Sequence, residues 1–204
     1  MAKGIFIVLD GLDGSGKSTV AKMLHEHICS KEGYNALLTS EPTDGKYGRE
    51  IRKMLAEEKN PKENAGKMLE LFVKDRQEHL KDTILPFLEK ENGKKNAVIC
   101  DRYYYSTIAF QSAQGMDTTS IIEKNKNFLK PDIVLIMDIN PEIALKRIEY
   151  RKNEKFEKLE FMKELREIFL KLPKIVQDNI HIIDASRSNK AVFEQIRGEI
   201  DRIL

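Results

Sequence analysis

The sequence predicts an α/β fold in which helices cover both faces of a five-stranded parallel sheet, a three-layer arrangement. One observation is the order of elements: short apolar runs alternate along the 204 residues with longer stretches whose apolar residues recur at helical spacing. A second observation is that the first run, Ile5–Leu9, is apolar throughout, as in a strand buried on both faces of a parallel sheet. The length suits a single domain, 1–204, and no repeat, low-complexity segment or flexible linker interrupts the sequence.

Five segments qualify as strands because each is a short apolar run. They are Ile5–Leu9, Ala36–Thr39, Ala97–Cys100, Ile133–Met137 and Ile180–Ile183. Asp10 ends the first run after five residues, too few for a signal peptide or a membrane helix, and no later run reaches the length of a membrane span. We therefore expect a cytoplasmic protein in which Cys29 and Cys100 are reduced thiols, not parts of a disulfide or zinc framework.

Helical segments separate these strands. Asn140 is the predicted N-cap of the helix that starts at Pro141, and either Ser188 or Asn189 caps the last helix. Pro86 either kinks the longest helical segment or begins its last turn. The predicted helical ranges are 17–31, 49–57, 61–90, 104–113, 118–128, a helix from 141, a helix that follows the charged segment 149–158 and runs to 177, and a helix that ends at 203.

The charged residues nearly balance, with 35 Lys and Arg against 33 Asp and Glu and a net charge of +2. A chain this close to neutral lacks the broad basic field that recruits nucleic acid or an anionic membrane, so we expect neither as a partner. Any basic site must be local and built from a few converging cations.

A glycine-rich loop follows the first strand directly and fits the P-loop pattern G-x-x-x-x-G-K-[ST] between a strand and a helix. Gly14 and Gly16 permit backbone torsions that turn N–H groups into one concavity, to which the next helix adds its positive N-terminal end. Lys17 supplies a charge to the β- and γ-phosphates, and the Ser18 hydroxyl can bind Mg²⁺. The predicted ATP-binding residues of this loop are Gly11, Asp13, Gly14, Ser15, Gly16, Lys17, Ser18 and Thr19.

Other classes of P-loop protein fit less well. A GTPase carries an Asn-Lys-x-Asp base reader, whereas Asn125-Lys126-Asn127-Phe128 lacks the Asp and precedes a strand. A motor ATPase or helicase usually needs a longer chain. Asp101 follows a buried strand, where it could hold Mg²⁺ through water or simply orient Arg102, and the sequence leaves both roles open.

The segment that starts at Asp101 is the most specific part of the chain. An Asp-Arg-Tyr is followed by Ser106 and then by Ala109-Phe110, and this pattern resembles the thymidylate kinase family of nucleoside monophosphate kinases. The resemblance runs from about residue 3 to 203. Its further matches are Asp13, Glu41-Pro42-Thr43, Leu71-Phe72 with Arg76, the stretch 131–135 and the stretch 184–186. The resemblance implies the P-loop NTPase fold with strand order 2-3-1-4-5 and transfer of phosphate from ATP to dTMP.

We expect the acceptor nucleotide to bind next to the P-loop, in a crevice at the carboxyl ends of the strands. Arg102 follows a strand at its carboxyl end, where its guanidinium can grip the acceptor phosphate bidentately. The resemblance implies that Phe72 stacks on the thymine and that Arg76 donates to a base carbonyl, and it places Asp13 near the 3′-hydroxyl. It also assigns to the nucleoside pocket Glu41, Pro42, Ser106, Thr107, Phe110 and Phe156.

The charged segment is, by the same resemblance, part of a lid at about 147–158 that closes over the phosphates. Arg147 and Arg151 are i,i+4 and can reach inward from one helix face. Because the P-loop contains no Arg, we expect the lid to supply a cation to the transition state, with Arg151 as first choice. Glu157 is a candidate outer contact to Mg²⁺. The residues expected near the adenine are Ala185, Ser186 and Arg187.

The predicted function is therefore that of an ATP-dependent dTMP kinase that uses Mg²⁺ and whose catalytic cations are Lys17, Arg102, Arg147 and Arg151. Two alternatives stay open on the sequence. One is a kinase for another nucleotide or deoxynucleoside, such as dUMP or dGMP, and the other is a P-loop regulator without catalysis. The family usually forms homodimers, and we expect the dimer face to include the helix Met68–Ile84, on the premise that its apolar stripe exceeds what one core needs.

Overall fold

The computed structural model describes residues 4–57, 64–91, 93–148 and 155–204, with the side chains of 155–157 outside the description. Its strands are Ile5–Gly11 (β1), Tyr34–Ser40 (β2), Lys95–Asp101 (β3), Ile133–Asp138 (β4) and Ile180–Asp184 (β5). They form one parallel sheet in the order β2-β3-β1-β4-β5, which confirms the predicted fold. Every strand extends beyond its predicted apolar run to end on a polar residue or glycine, and these ends share one edge of the sheet.

The helices of the described residues begin close to where periodicity and capping predict. They are Lys17–Ser30 (α1), Lys46–Glu57 (α2), Ala65–His79 (α3), Leu85–Leu88 (α4), Tyr104–Ala113 (α5), Thr118–Asn125 (α6), Pro141–Arg147 (α7), Lys155–Ile175 (α8) and Asn189–Ile200 (α9). Asn140 caps α7 by accepting from the Glu142 N–H at 2.8 Å, as predicted. Ser188 caps α9 by accepting from the Ala191 N–H, which settles the choice between Ser188 and Asn189.

The long segment predicted as one helix is divided by a π-helical turn, Leu80–Ile84, between α3 and α4. Pro86 lies in the first turn of α4, so it begins the last turn, one of the two predicted possibilities. Proline has no N–H to donate to the carbonyl four residues earlier, and a wider hydrogen-bond pattern before it relieves that mismatch. The predicted start of this segment, Asn60-Pro61, lies outside the described residues.

The handedness of the connections between strands determines on which face of the sheet each helix lies. The β1–β2 connection runs along the sheet in the opposite direction to the three later connections, so right-handed crossovers place α1 on one face and the helices between β2 and β5 on the other. On the first face α1 packs against α9, and on the second α5 packs against α8. Both faces of the central strands are therefore buried, as the apolar run Ile5–Leu9 predicts for β1.

The core has two parts. A large cluster fills both sides of the sheet, and a small one joins α2 to α3 through Ile51, Met68 and Leu71. The expectation of a surplus apolar stripe on the helix Met68–Ile84 is wrong, because its apolar residues are used within the chain. Met68, Leu69, Leu80 and Ile84 are all at most 6% exposed. Among the helices of the described residues, none combines the length and apolar character needed to cross a bilayer.

Candidate active site at the carboxyl edge of the sheet

Two adjoining cavities open where the strands end, at the point where the strand order reverses around β1. The larger cavity measures about 690 Å³ and is bordered by the P-loop, and the smaller one measures about 380 Å³ and lies between α3 and α5. Both are lined by Asp13, Glu41, Pro42 and Arg102, so these four residues stand at the boundary between them.

The P-loop forms the floor of the larger cavity. Gly14 and Gly16 have φ values of 80° and 90°, in the left-handed region that glycine adopts without penalty, as predicted. A side chain at Gly14 would also place its Cβ 2.5 Å from the carbonyl oxygen of Ala144 in α7. The loop residues that line the cavity are Asp13, Gly14, Gly16, Lys17, Ser18 and Thr19. Gly11 and Ser15 are buried and line neither cavity.

Lys17 is buried within the loop, and its Nζ donates to the carbonyl of Leu12 at 2.7 Å. Burial, together with repulsion from Arg102, lowers the pKa of this ammonium to about 8. The carboxylates of Asp13, Asp101 and Asp10 offset this lowering only in part, and an anion entering the cavity would favour the ammonium form further.

The Ser18 hydroxyl and the Asp101 carboxylate meet at the same cavity. Ser18 Oγ donates to Asp101 Oδ2 at 2.5 Å, while Asp101 Oδ1 is buried and has no hydrogen-bond partner in the described part of the chain. The described residues show no side-chain hydrogen bond between Arg102 and Asp101, although the charge of Asp101 contributes to raising the pKa of Arg102. A hydroxyl beside an unpartnered carboxylate oxygen is the hard oxygen donor set that suits Mg²⁺. Within the described residues, no three His, Cys, Asp or Glu side chains form a metal cluster.

Arg102 lies at the boundary of the two cavities in a strained conformation. Its φ is 74°, and it is the only non-glycine residue with positive φ among those described. Such a torsion costs about 1–3 kcal/mol and persists where surrounding contacts enforce it. The Nη2 group donates to Asp13 Oδ1 at 2.5 Å, and Nη1 donates to Ser106 Oγ at 2.6 Å and to the Gly11 carbonyl at 3.2 Å.

Two carboxylates flank this guanidinium and differ in exposure. Asp10 is fully buried, and burial raises its pKa despite the opposing effects of Arg102 and the Ser106 hydroxyl. The side chain of Asp13 is 62% exposed. Burial opposes its ionisation as well, but Arg102 and Lys17 outweigh that effect and its pKa is lowered.

The smaller cavity is built around Arg76, whose side chain is fully buried. Glu41 Oε2 accepts from Nε at 3.0 Å and from Nη2 at 2.7 Å, Asn125 Oδ1 accepts from Nη1 at 2.6 Å, and Thr107 Oγ1 accepts from Nη2 at 3.0 Å. The other oxygen of Glu41 lies 3.2 Å from Nδ1 of His79. Four of the five guanidinium N–H groups are thus committed, and one N–H on Nη1 has no hydrogen-bond partner among the described residues.

Comparison with known proteins decides the family. A family model described as thymidylate kinase matches residues 9–196. A probable thymidylate kinase of Archaeoglobus fulgidus is 38% identical over 202 residues, which cover 98% of this chain and 96% of the relative. A probable thymidylate kinase of Pyrococcus horikoshii is 39% identical, covering 95% and 94%, and a thymidylate kinase of Brachyspira hyodysenteriae is 37% identical, covering 97% and 94%.

The chain belongs to the thymidylate kinase family.

Most of the acceptor residues that the thymidylate kinase resemblance implies converge on the smaller cavity. Those that line it are Asp13, Glu41, Pro42, Phe72, Arg76, Arg102, Ser106, Thr107 and Phe110. Phe72 is half-buried there, one helical turn from Arg76, and the Phe110 ring centroid is 5.8 Å from the guanidinium carbon of Arg102. The structure thus brings together residues that are spread over almost 100 positions of the sequence.

The predicted lid is described only in part. Arg151 lies outside the described residues, and so do the side chains of Phe156 and Glu157, whose backbones belong to α8. Arg147 lines the larger cavity, where its guanidinium donates at 3.3–3.4 Å to the carbonyls of Gly14, Ala185 and Ser186. It therefore bridges the P-loop and the connection after β5.

The segment predicted near the adenine, 185–187, directly follows β5. Ala185 is buried, with its N–H bound to the Asp138 carbonyl, and the Ser186 hydroxyl turns back to Asp184. Neither residue lines the larger cavity, whereas Arg187 lines it together with Ser188 and Asn189. The placement of 185–187 near the adenine stays a prediction.

Several residues at this thymidylate kinase site were not predicted from the sequence, and three of them have structural roles that can be described. Arg52 of α2 lines the larger cavity and donates to the carbonyls of Thr43 and Pro42 at 2.5 and 2.7 Å. Nothing in the sequence separates it from the other basic residues of α2. Gln111 lines the smaller cavity one turn after Thr107, a helical spacing that could have indicated it. Asp10, read only as the end of an apolar run, is a buried polar anchor.

Proposed function

We propose that this chain transfers the γ-phosphoryl group of ATP to dTMP, giving ADP and dTDP. The single observation that carries the proposal is the junction of the two cavities. A P-loop cavity suited to a polyphosphate meets a cavity suited to a nucleoside, and Arg102 lies at the boundary where the two phosphates must meet. Membership in the thymidylate kinase family supports the same donor and acceptor.

Catalysis in this arrangement consists mainly of alignment and charge neutralisation, because both reactants are anions. We propose that Lys17 contacts the transferred phosphoryl group and that Arg102 holds the acceptor phosphate. The acceptor phosphate would replace the Asp13 carboxylate on Nη2 of Arg102 and leave Nη1 on Ser106. Arg52 stands on the same cavity as a further cation for that phosphate.

The proposed metal is Mg²⁺, which Ser18 and Asp101 would hold together with the donor phosphates. When bound, it would neutralise charge on the β- and γ-phosphate oxygens. The unpartnered Oδ1 of Asp101 is the feature of this chain that supports the assignment. The chain's own part is to keep the Ser18 hydroxyl and the Asp101 carboxylate together at the end of β3.

The polar groups of the smaller cavity complement an imide. Arg76 has one uncommitted N–H, and Gln111 Oε1 is buried without a hydrogen-bond partner in the described part of the chain. A donor and an acceptor suit the O4 and N3–H groups of thymine, whereas cytosine presents an amino group and an unprotonated N3 at these positions. We therefore infer a preference for dTMP and dUMP over dCMP, since an unmatched buried polar group opposes binding.

The deciding experiment is a coupled ADP-release assay with dTMP, dUMP, dCMP, dGMP and thymidine as acceptors and with no acceptor. We expect ADP formation that depends on the acceptor and is fastest with dTMP. Equal ADP release with and without an acceptor would exclude a kinase. Turnover of dGMP without dTMP would change only the substrate, and ATP binding without any turnover would favour the regulatory alternative.

The protonation of Lys17 should change when ATP binds. Its pKa of about 8 leaves most of the amines neutral near pH 8.5, and the polyphosphate favours the ammonium form. ATP binding near pH 8.5 should therefore take up a proton, and the uptake should vanish below about pH 7, where Lys17 is already charged. Calorimetry in buffers of different ionisation enthalpy measures it. Lys17→Met should abolish the uptake, and persistence of the uptake in that variant would assign the proton elsewhere.

Replacement of Asp101 tests the metal assignment. Asp101→Asn keeps an oxygen for Ser18 but removes the charge, so kcat should fall by about 10²-fold and half-maximal activity should need more Mg²⁺. The measurement is a Mg²⁺ titration at saturating ATP and dTMP. Asp117→Asn, at the exposed cap of α6, provides the control for loss of an aspartate charge. An unchanged Mg²⁺ requirement in Asp101→Asn would remove Asp101 from the metal site.

We also propose one kinase domain, 1–204, with a lid at about 147–158 in which Arg147 and Arg151 approach the phosphates, a homodimer and a cytoplasmic location. Family membership supports these proposals. The dimer cannot be argued from a surplus apolar stripe on Met68–Ile84, since that stripe is buried within the chain.

A further inference from the structure

Asp10 is a fully buried carboxylate that no step of the proposed reaction uses. Its Oδ1 accepts from the Gly11 N–H at 2.8 Å and from the Ser106 hydroxyl at 2.6 Å. Its Oδ2 accepts from the N–H groups of Tyr103 and Ser106 at 3.2 and 2.9 Å. One carboxylate near the end of the central strand thereby binds N–H groups at the start of α5 that have no partner within the helix, as a helix cap would.

The same carboxylate reaches Arg102 through one intermediate. The Ser106 hydroxyl donates to Asp10 Oδ1 and accepts from Nη1 of Arg102, both at 2.6 Å. The direct separation between Nη1 and Asp10 Oδ1 is 3.6 Å. Because a hydroxyl has one proton, its donation to Asp10 leaves its lone pairs oriented toward Arg102. The charge on Asp10 therefore sets the direction of the hydroxyl that holds the guanidinium.

Arg102 consequently has one edge held inside the protein and one edge open to exchange. Nη1 is bound by Ser106 and by the Gly11 carbonyl, next to a buried charge. Nη2 is bound by Asp13, whose carboxylate is mostly exposed and can give way to a ligand. Arg102, with its positive φ, directly precedes Tyr103, whose N–H donates to Asp10.

We propose that Asp10 is a positioning residue for Arg102, acting through the Ser106 hydroxyl to fix the guanidinium edge that does not touch substrate. This inference rests on the proposed role of Arg102 in holding the acceptor phosphate. Preorganisation of this kind lowers the cost of ordering a long side chain when the acceptor binds. The donor site depends on it less, because the P-loop lysine and Ser18 are held by other partners.

A double-mutant cycle on the full chain tests the proposal. The variants are Asp10→Asn, Arg102→Ala and their combination, with KM for dTMP and the dissociation constant of ATP as readouts. An Asn side chain cannot accept on both sides, so it should turn the Ser106 hydroxyl and loosen Arg102. We expect Asp10→Asn to raise KM for dTMP about 10-fold in the wild-type background and less than about 2-fold once Arg102 is absent. The affinity for ATP should change less than about 2-fold in both backgrounds.

Asp178→Asn is the matched control, because Asp178 is also a buried carboxylate that anchors α5, through the hydroxyls of Tyr104 and Tyr105. Its effect on KM for dTMP should be the same with and without Arg102. If Asp10→Asn also acts equally in both backgrounds, or if it weakens ATP binding as much as dTMP binding, its role is structural and the proposal is wrong. Ser106→Ala removes the intermediate while leaving three backbone donors on Asp10, and it should reproduce the dependence on Arg102 if Asp10→Asn folds poorly. Absence of dTMP turnover in the wild-type chain would instead refute the proposed function.

Discussion

Arg102→Ala should lower kcat/KM for dTMP by about 10²- to 10³-fold, with a higher KM and a lower kcat. The reason is that this guanidinium lies between the cavities, where the acceptor phosphate must approach a polyphosphate, and its removal leaves that repulsion uncompensated. Steady-state kinetics with dTMP varied at saturating ATP measures both constants. The dissociation constant of ATP should change far less, since the P-loop supplies its own cation.

Two further variants make the Arg102 result interpretable. Arg102→Lys keeps the charge but loses the fork that binds Ser106 and Asp13 together, so it should recover only a small part of the activity. Arg202→Ala, which removes an arginine that is 74% exposed near the chain end, should leave both kinetic constants unchanged. An Arg102→Ala enzyme with wild-type KM and kcat would contradict the assigned role.

The second large effect concerns stability. Glu41→Ala should lower the free energy of unfolding by about 3–5 kcal/mol, because it leaves the fully buried Arg76 guanidinium without its counter-charge. For a chain of this size that corresponds to a fall in Tm of about 10 °C. The same change should raise KM for dTMP, since Glu41 holds two N–H groups of the arginine that faces the cavity. Thermal denaturation monitored by circular dichroism, together with kinetics below the transition, provides both measurements.

A charge-neutral double variant separates loss of a counter-charge from loss of packing. Glu41→Met with Arg76→Met removes both buried charges, so it should be more stable than Glu41→Met alone. The exposed i,i+3 pair Glu194–Arg197 supplies the surface comparison, and Glu194→Ala should shift Tm by less than about 2 °C. Equal losses from Glu41→Ala and Glu194→Ala would show that burial does not govern the Glu41–Arg76 pair.

Much of the fold follows from patterns that are short in sequence. A strand buried on both faces must be apolar throughout, and a helix must repeat its apolar residues every three or four positions, so both elements can be read locally. The P-loop is local as well, because its glycines, lysine and serine all lie within eight consecutive residues. The fold departs from prediction at two places. One is the π-helical turn that accommodates the missing N–H of Pro86, and the other is the stripe on Met68–Ile84, which the protein itself covers.

The order of strands and helices along the chain, the P-loop and most segments that line the smaller cavity can be read from the sequence. How those segments pair becomes visible only in the folded chain. Glu41 and Arg76 are 35 residues apart, and Asp10 and Ser106 are 96 residues apart. No local spacing could therefore predict that the Glu41 carboxylate would bind Arg76 or that the Asp10 carboxylate would bind Ser106. A parallel sheet gathers the ends of distant strands at one edge, and a polar group buried there must find its partner among the helices and loops that meet at that edge, here α3 and α5.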